Sequence, residues 1–199
     1  MCSAKRLSEK ERKNEIMNSA IKVISEKGLE NTTMEDIIAG TSLSKGGVYH
    51  YYGGVIEVFR DIMLRGNEYR NENIKEHLDE CETECKEQFI AKQVVDKILD
   101  NNPYTTLYTE FLRTKKRNPK LNKLMEELQE QAKEGIKATI GNTSNWISDK
   151  NIFQFLSDFI NAMIMASDVL EAKESLERNR KILEQMVILI LGASKGSDN

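Results

Sequence analysis

Between positions 44 and 52 the chain sets a hydroxyl (Ser44), an ammonium (Lys45), two glycines (Gly46, Gly47) and the rings of Tyr49, His50 and Tyr51 in one short run. Ser44 can cap a helix, and its hydroxyl and the unbonded amides of the first turn suit a phosphate oxygen. Lys45 can reach a phosphate or the acceptor edge of a guanine. Tyr49 and His50 add hydrogen-bonding groups and flat apolar surface. Val48 and Tyr52, one helical turn apart, face the opposite way, into a core. These groups, on a short and thinly apolar helix, are those that contact a nucleic-acid duplex.

Other chemistries are poorly served. His77, Cys81 and Cys85 recur at every fourth position, and neighbouring pairs share a helix face. All three span about 12 Å of helix axis, too long for one tetrahedral ion. Asp79, Glu80, Glu82 and Glu84 around them read as a solvated helix end, and no metal is expected. The two histidines are His50 and His77. No Ser or Cys sits in a nucleophile elbow, and no glycine-rich phosphate loop follows a strand. Neither enzymatic activity nor a cofactor is expected.

The elements that position these residues read as helices almost throughout. Ser8 with Glu11, and Thr33 with Asp36, form capping boxes. Gly28 ends the first helix, Gly40 the second, and Gly53-Gly54 the third. A fourth helix starts near Val55 and runs past Ile74. Others are expected over 87–101, 104–117, 120–140, 150–172 and 175–192, about nine in all. The fold class is therefore all-α. A helix-turn-helix occupies residues 1–55 and a second helical domain residues 56–199. In the turn, Gly40 permits the change of direction and Leu43 plugs the small core.

The formal net charge is −3. Residues 1–55 carry eight Lys/Arg against seven Asp/Glu, so the acidity lies in the rest, and a local basic surface matters more than the total. The longest apolar run, 186–191, is far short of a membrane span. Together with a charged N-terminus and an odd number of cysteines, this predicts a cytoplasmic protein without a disulfide framework.

Residues 16–59 resemble the DNA-binding region of the TetR family. Positions 16–28 are similar to its first helix, Thr32-Thr33-Met34-Glu35-Asp36-Ile37-Ile38 to its second, and Leu43-Ser44-Lys45-Gly46 with Val48-Tyr49-His50-Tyr51-Tyr52 to its recognition helix. Phe59 matches an aromatic of its fourth helix. The resemblance implies that Thr33, Ser44, Lys45, Gly46, Gly47, Tyr49, His50 and Tyr51 lie on double-stranded DNA. It also implies a TetR-like C-terminal domain for ligand binding and dimerisation. Three features depart from the pattern: Gly47 lacks a side chain, Val55 stands where a Lys is common, and Gly53-Gly54 replaces a more rigid junction.

The stretches 150–172 and 175–192 are apolar over more than one face, as helices buried against both a core and a partner would be. The resemblance implies the same four-helix homodimer interface. A charge at Met163 or Val187 is expected to break the dimer or unfold the chain. For a non-metal small-molecule inducer, Tyr104, Tyr108, Phe111, Trp146, Phe155, Phe159 and Met163 offer aromatic and sulfur surface, suited to flat or apolar ligands and to cations. The leading expectation is a repressor that binds a palindromic operator and is released by its ligand. The alternative is a helical small-molecule-binding or scaffold protein whose helix-turn-helix does not bind DNA.

Overall fold

The computed structural model describes residues 7–78, 86–140 and 145–193, the side chains of His77, Leu78 and Ile140 excepted. Cys81, Cys85 and the His77 side chain therefore lie outside the described residues. Among those described, every regular element is helical. The helices are α1 (Glu9–Lys27), α2 (Met34–Ala39), α3 (Lys45–Tyr49), α4 (Val55–Leu78), α5 (Lys86–Leu99) and α6 (Pro103–Thr114). Then come α7 (Pro119–Ile140), α8 (Asn145–Ser148), α9 (Lys150–Asp168), α10 (Lys173–Arg178) and α11 (Arg180–Gly192).

Local chemistry sets most of these boundaries. Both capping boxes form: the Glu11 amide donates to Ser8 Oγ at 3.2 Å and the Ser8 amide to Glu11 Oε2 at 2.6 Å. The Asp36 amide donates to Thr33 Oγ1 at 3.2 Å. Gly28 takes φ 79° past the end of α1, a conformation that disfavours any residue with a Cβ. Asn102 caps α6 through two amides, with Pro103 at the first helical position, where its missing N–H costs nothing.

Three boundaries differ from expectation. The break after α7 contains the short α8, because Trp146 and Ile147 bury their side chains there. The last expected helix is two, α10 and α11, parted at Asn179 (φ −105°, ψ 22°). Helix α9 stops at Asp168, and Glu171 turns the chain at φ 55° while the Ala172 amide donates to the Ala166 carbonyl. No Gly or Pro marks either site, so nothing local announces them.

The core has two ends. One joins α1, α2, α3 and the first half of α4 to α6 and α7, around Ile16, Ile24, Ile37, Val48, Phe59, Phe111 and Leu121. The other joins α5, α8, α9 and α11 around Ala91, Trp146, Leu156, Val187 and Leu191, with Val95, Ile98, Ile164 and Leu183 beside it. Helix α4 spans about 36 Å at 1.5 Å per residue, and it packs along α7. No described helix is long and apolar enough to cross a membrane.

Candidate nucleic-acid interface and ligand cavity

Three staples hold α2 and α3 on α1 and α4. Ser19 Oγ donates to the Ile37 carbonyl at 2.6 Å. Glu15 Oε1 accepts from the Ser42 amide. The Tyr52 hydroxyl donates to Asp61 Oδ2 at 3.0 Å and ties the end of the α3 segment to α4; burial, with the carboxylate beside it, raises the pKa of that phenol. Gly40 acts differently from the expectation that it frees the backbone. Its φ of −91° and ψ of 6° are open to any residue, but a Cβ there would stand 2.2 Å from Ser19 Oγ. Gly40 is small so that the turn can lie against α1.

With the segment so held, Val48 and Tyr52 are buried, and Ser44, Lys45, Gly46, Tyr49 and His50 are exposed on one short face. Ser44 Oγ accepts the Gly47 amide at 3.2 Å. Lys45 Nζ pairs with Glu35 Oε1 at 3.0 Å and stands 5.8 Å from the centre of the Tyr49 ring. Both partners are open to water, where such a pair is weak and screened by salt, so Glu35 can be displaced by a phosphate. The His50 and Tyr51 rings meet edge-on at 5.0 Å. Tyr51 is half-buried against the core, so less of it faces outward than of Tyr49. Gly46 has open space where a side chain would stand; at Gly47 a methyl group would meet only ordinary contacts, the nearest being Ser44 Oγ at 3.4 Å.

Thr33 is exposed at the start of α2 beside this face. Asp36 receives Lys27 Nζ at 2.5 Å and the Thr33 hydroxyl and amide at 2.8 and 3.1 Å. These bonds hold its pKa down to about 2. A depressed carboxylate contributes stability above its unfolded pKa and loses it as pH falls through the folded one. The α2 cap therefore persists at any pH where duplex DNA can be assayed.

At the other end of α4 a cavity of about 130 Å³ opens between α4, α5, α6, α7, α8 and α9. A smaller one of about 50 Å³ adjoins it, sharing Asn67, Arg70, Lys97 and Tyr108. Of the seven expected ligand residues, Tyr108 and Trp146 line the larger cavity and Tyr104 the smaller. The other four line neither. Phe111 is sealed in the first core, its ring 5.8 Å from that of Phe59. Phe159 and Met163 are half-buried among the apolar residues of α5, α9 and α11. Phe155 is 59% exposed on the outer face of α9.

Besides the expected Tyr108, polar groups that composition did not single out complete the wall. The Tyr108 hydroxyl donates to Asn161 Oδ1 at 2.8 Å, and burial pushes its pKa up to about 12. Asn67 Nδ2 donates to the Leu128 carbonyl at 3.2 Å. Arg70 pairs with Asp100 at 3.0 Å. Lys97 stands with its ammonium 5.7 Å from the centre of the Tyr108 ring, and desolvation, with the Arg70 charge, lowers its pKa to about 8. A signal for Lys97 existed: it continues the α5 stripe Ile90–Val94 at helical spacing, where an apolar residue belongs.

The comparisons with known proteins fit this arrangement. The family described as "Bacterial regulatory proteins, tetR family" matches residues 16–61. The HTH-type transcriptional regulator YfiR of Bacillus subtilis (strain 168) is 42% identical over 55 residues, a match spanning 28% of this chain and 27% of YfiR. Over nearly the full length the fold is similar to that of Salmonella enterica GusR (TM-score 0.69, 15% identity, 96% of this chain and 98% of that one). It is also similar to the fatty acid degradation regulator FadR of Bacillus halodurans (TM-score 0.66, 14% identity, 92% and 97%). The family match falls on the staples and the exposed third helix, in a chain whose fold is similar throughout to those of these proteins: residues 16–61 match the tetR family of bacterial regulatory proteins, and the whole chain shares the fold of solved bacterial regulators.

Proposed function

We propose that this protein is a transcriptional repressor that binds a palindromic operator as a homodimer and is released when a small molecule fills the cavity. The observation that carries this reading is α4. Its first half supplies Val58, Phe59 and Ile62 to the core under the helix-turn-helix, and its second half supplies Asn67, Arg70, Asn71 and Ile74 to the cavity wall. Helix α6 makes the same connection, with Tyr108 in the cavity and Phe111 against Phe59. A ligand that moves α4 or α6 therefore acts on the seat of α3. In the dimer, that changes the spacing of the two recognition helices and weakens the operator complex.

Selecting binding sites from a random duplex pool tests this. The expected site is a palindrome or near-palindrome, its half-sites one helical turn or slightly more apart, on the order of 34–36 Å. An asymmetric site shorter than one turn overturns the reading, and failure to select any site returns the non-DNA alternative.

On the selected site, Lys45→Ala is expected to weaken binding to all sequences and lower the salt slope by about one unit if its contact is a phosphate. If Lys45 reads guanine instead, the loss is roughly tenfold or more and confined to one position. Tyr49→Phe removes only the hydroxyl and should cost about 0.5–1.5 kcal/mol. If both variants bind like the parent across a salt series, α3 is not the recognition helix.

Gly47→Ala is a test of the interface alone, because the added methyl fits the free protein. A steep loss of affinity with unchanged stability, followed by gel shift and thermal melting, marks close approach of the backbone to DNA. An unchanged affinity rejects that role.

A further inference from the structure

Among the described residues no carboxylate pairs with the Lys97 ammonium, and the acids nearest in sequence are engaged elsewhere. Asp96 accepts from Arg180 at 2.7 Å. Asp100 accepts from Arg70 at 3.0 Å and from Asn102 at 2.7 Å. The Lys97 side chain is half-buried in the wall where the two cavities meet. Its lowered pKa shows that holding a charge there is unfavourable. A Met or Leu would continue the α5 stripe without that cost.

Three further features define what would satisfy it. Arg70 and Asp100 neutralise one another, so the described residues of the site carry one net positive charge, and the guanidinium keeps donors beyond the one on Asp100. The rest of the wall is mainly apolar and includes Trp146, Phe153, Leu156 and Ile160. The volume of about 130 Å³ is close to that of a cavity that admits one benzene ring. A dianion would leave a charge unpaired among these apolar groups, and a long acyl chain would not fit.

We propose that the cavity takes a small monocarboxylate with an aromatic or branched aliphatic body, its carboxylate held by Lys97 with Arg70 beside it and its body among Trp146, Phe153 and Leu156. This rests on reading the cavity as the inducer site. It reverses the preference for neutral or cationic ligands that the aromatic content alone implies.

The test uses the full chain and matched probes: benzoate, phenylacetate and isovalerate against their amides, followed by calorimetry and thermal shift. Lys97→Met keeps the length of the side chain and removes the charge. At least one carboxylate should bind and raise the melting temperature while its amide does not. Lys97→Met should lose about ten- to a hundredfold in affinity for it, the range of a charge-assisted bond. The ligand-free variant should melt no lower than the parent, which separates lost binding from lost folding. Equal binding of acid and amide, unchanged affinity in Lys97→Met, or no response to any of the three acids at millimolar concentration overturns the proposal. Release of the selected operator duplex is read in parallel. A carboxylate that binds through Lys97 without altering DNA affinity sustains the ligand class and overturns the inducer reading. A neutral compound that releases DNA through this cavity does the reverse.

Discussion

Leu189→Glu is expected to convert the proposed homodimer to a folded monomer. Leu189 is 77% exposed on α11, with Met186 at 42% one turn before it and Ile182 at 55% two turns before it on the same face. Phe155 at 59% on α9 and Leu170 at 73% just beyond it add to an apolar surface of a kind that soluble monomers rarely show. Between them α9 presents Ala162 and Ala166, small enough for a second helix to approach closely. A carboxylate placed in such an interface without a partner costs several kcal/mol. That weakens the dimer by a hundredfold or more. Operator affinity should fall with it, because the two half-sites would be bound independently. Sedimentation at micromolar concentration should show the monomer, and circular dichroism should show unchanged helicity.

The expectation that a charge at Met163 or Val187 probes the dimer divides in the fold. Val187 is fully buried between α5, α9 and α11, so Val187→Asp should unfold the subunit, and Met163 is half-buried in the same region. A parent protein that sediments as a monomer, or a Leu189→Glu variant that stays dimeric, would sink the assignment of this face.

Gly40→Ala should destabilise the helix-turn-helix. The new methyl would lie 2.2 Å from Ser19 Oγ and 3.1 Å from Ser19 Cβ. Ser19 is 7% exposed, so it has little room to give way. Either the hydroxyl abandons the Ile37 carbonyl or α1 moves off the turn. Overpacking of this kind costs about 1–3 kcal/mol, and losing the bond adds about 1 kcal/mol. Ser19→Ala removes the clashing oxygen, so the double variant should lose less than the two single changes together, by about 0.5–3 kcal/mol of coupling in a denaturant series. DNA affinity should fall in Gly40→Ala and recover in part in the double variant. Strict additivity would falsify the account of Gly40 as a close-approach residue.

The local half of the structure was legible in the chain. Ser8, Thr33, Ser44 and Gly28 act within four residues of themselves, through caps whose donors and acceptors adjoin in sequence. That is why α1, α2 and α3, and with them the exposed face of Ser44, Lys45 and Tyr49, could be read without coordinates. The glycine at 40 was legible as a turn residue, but its reason was not. Ser19, which requires it, lies 21 positions earlier, and only packing brings the two together.

Sequence by itself determined the helical class, the order of the helices and the residues that α3 turns outward, because each follows from periodicity or from a cap. Tertiary structure alone decided which apolar residues are core, cavity or open face. On α9 and α11 almost every side carries an apolar side chain, so periodicity cannot tell Val187, sealed inside, from Leu189, two residues on and open to water. It also decided the cavity. Lys97, Arg70, Tyr108 and Asn161 come from four helices spread over some ninety residues, and they share a wall only because α4, α5, α6 and α9 pack there. Phe111 and Phe155 have the same side chain; one is held against Phe59 and the other stands in solvent, because burial belongs to the neighbours that a fold supplies and not to the residue.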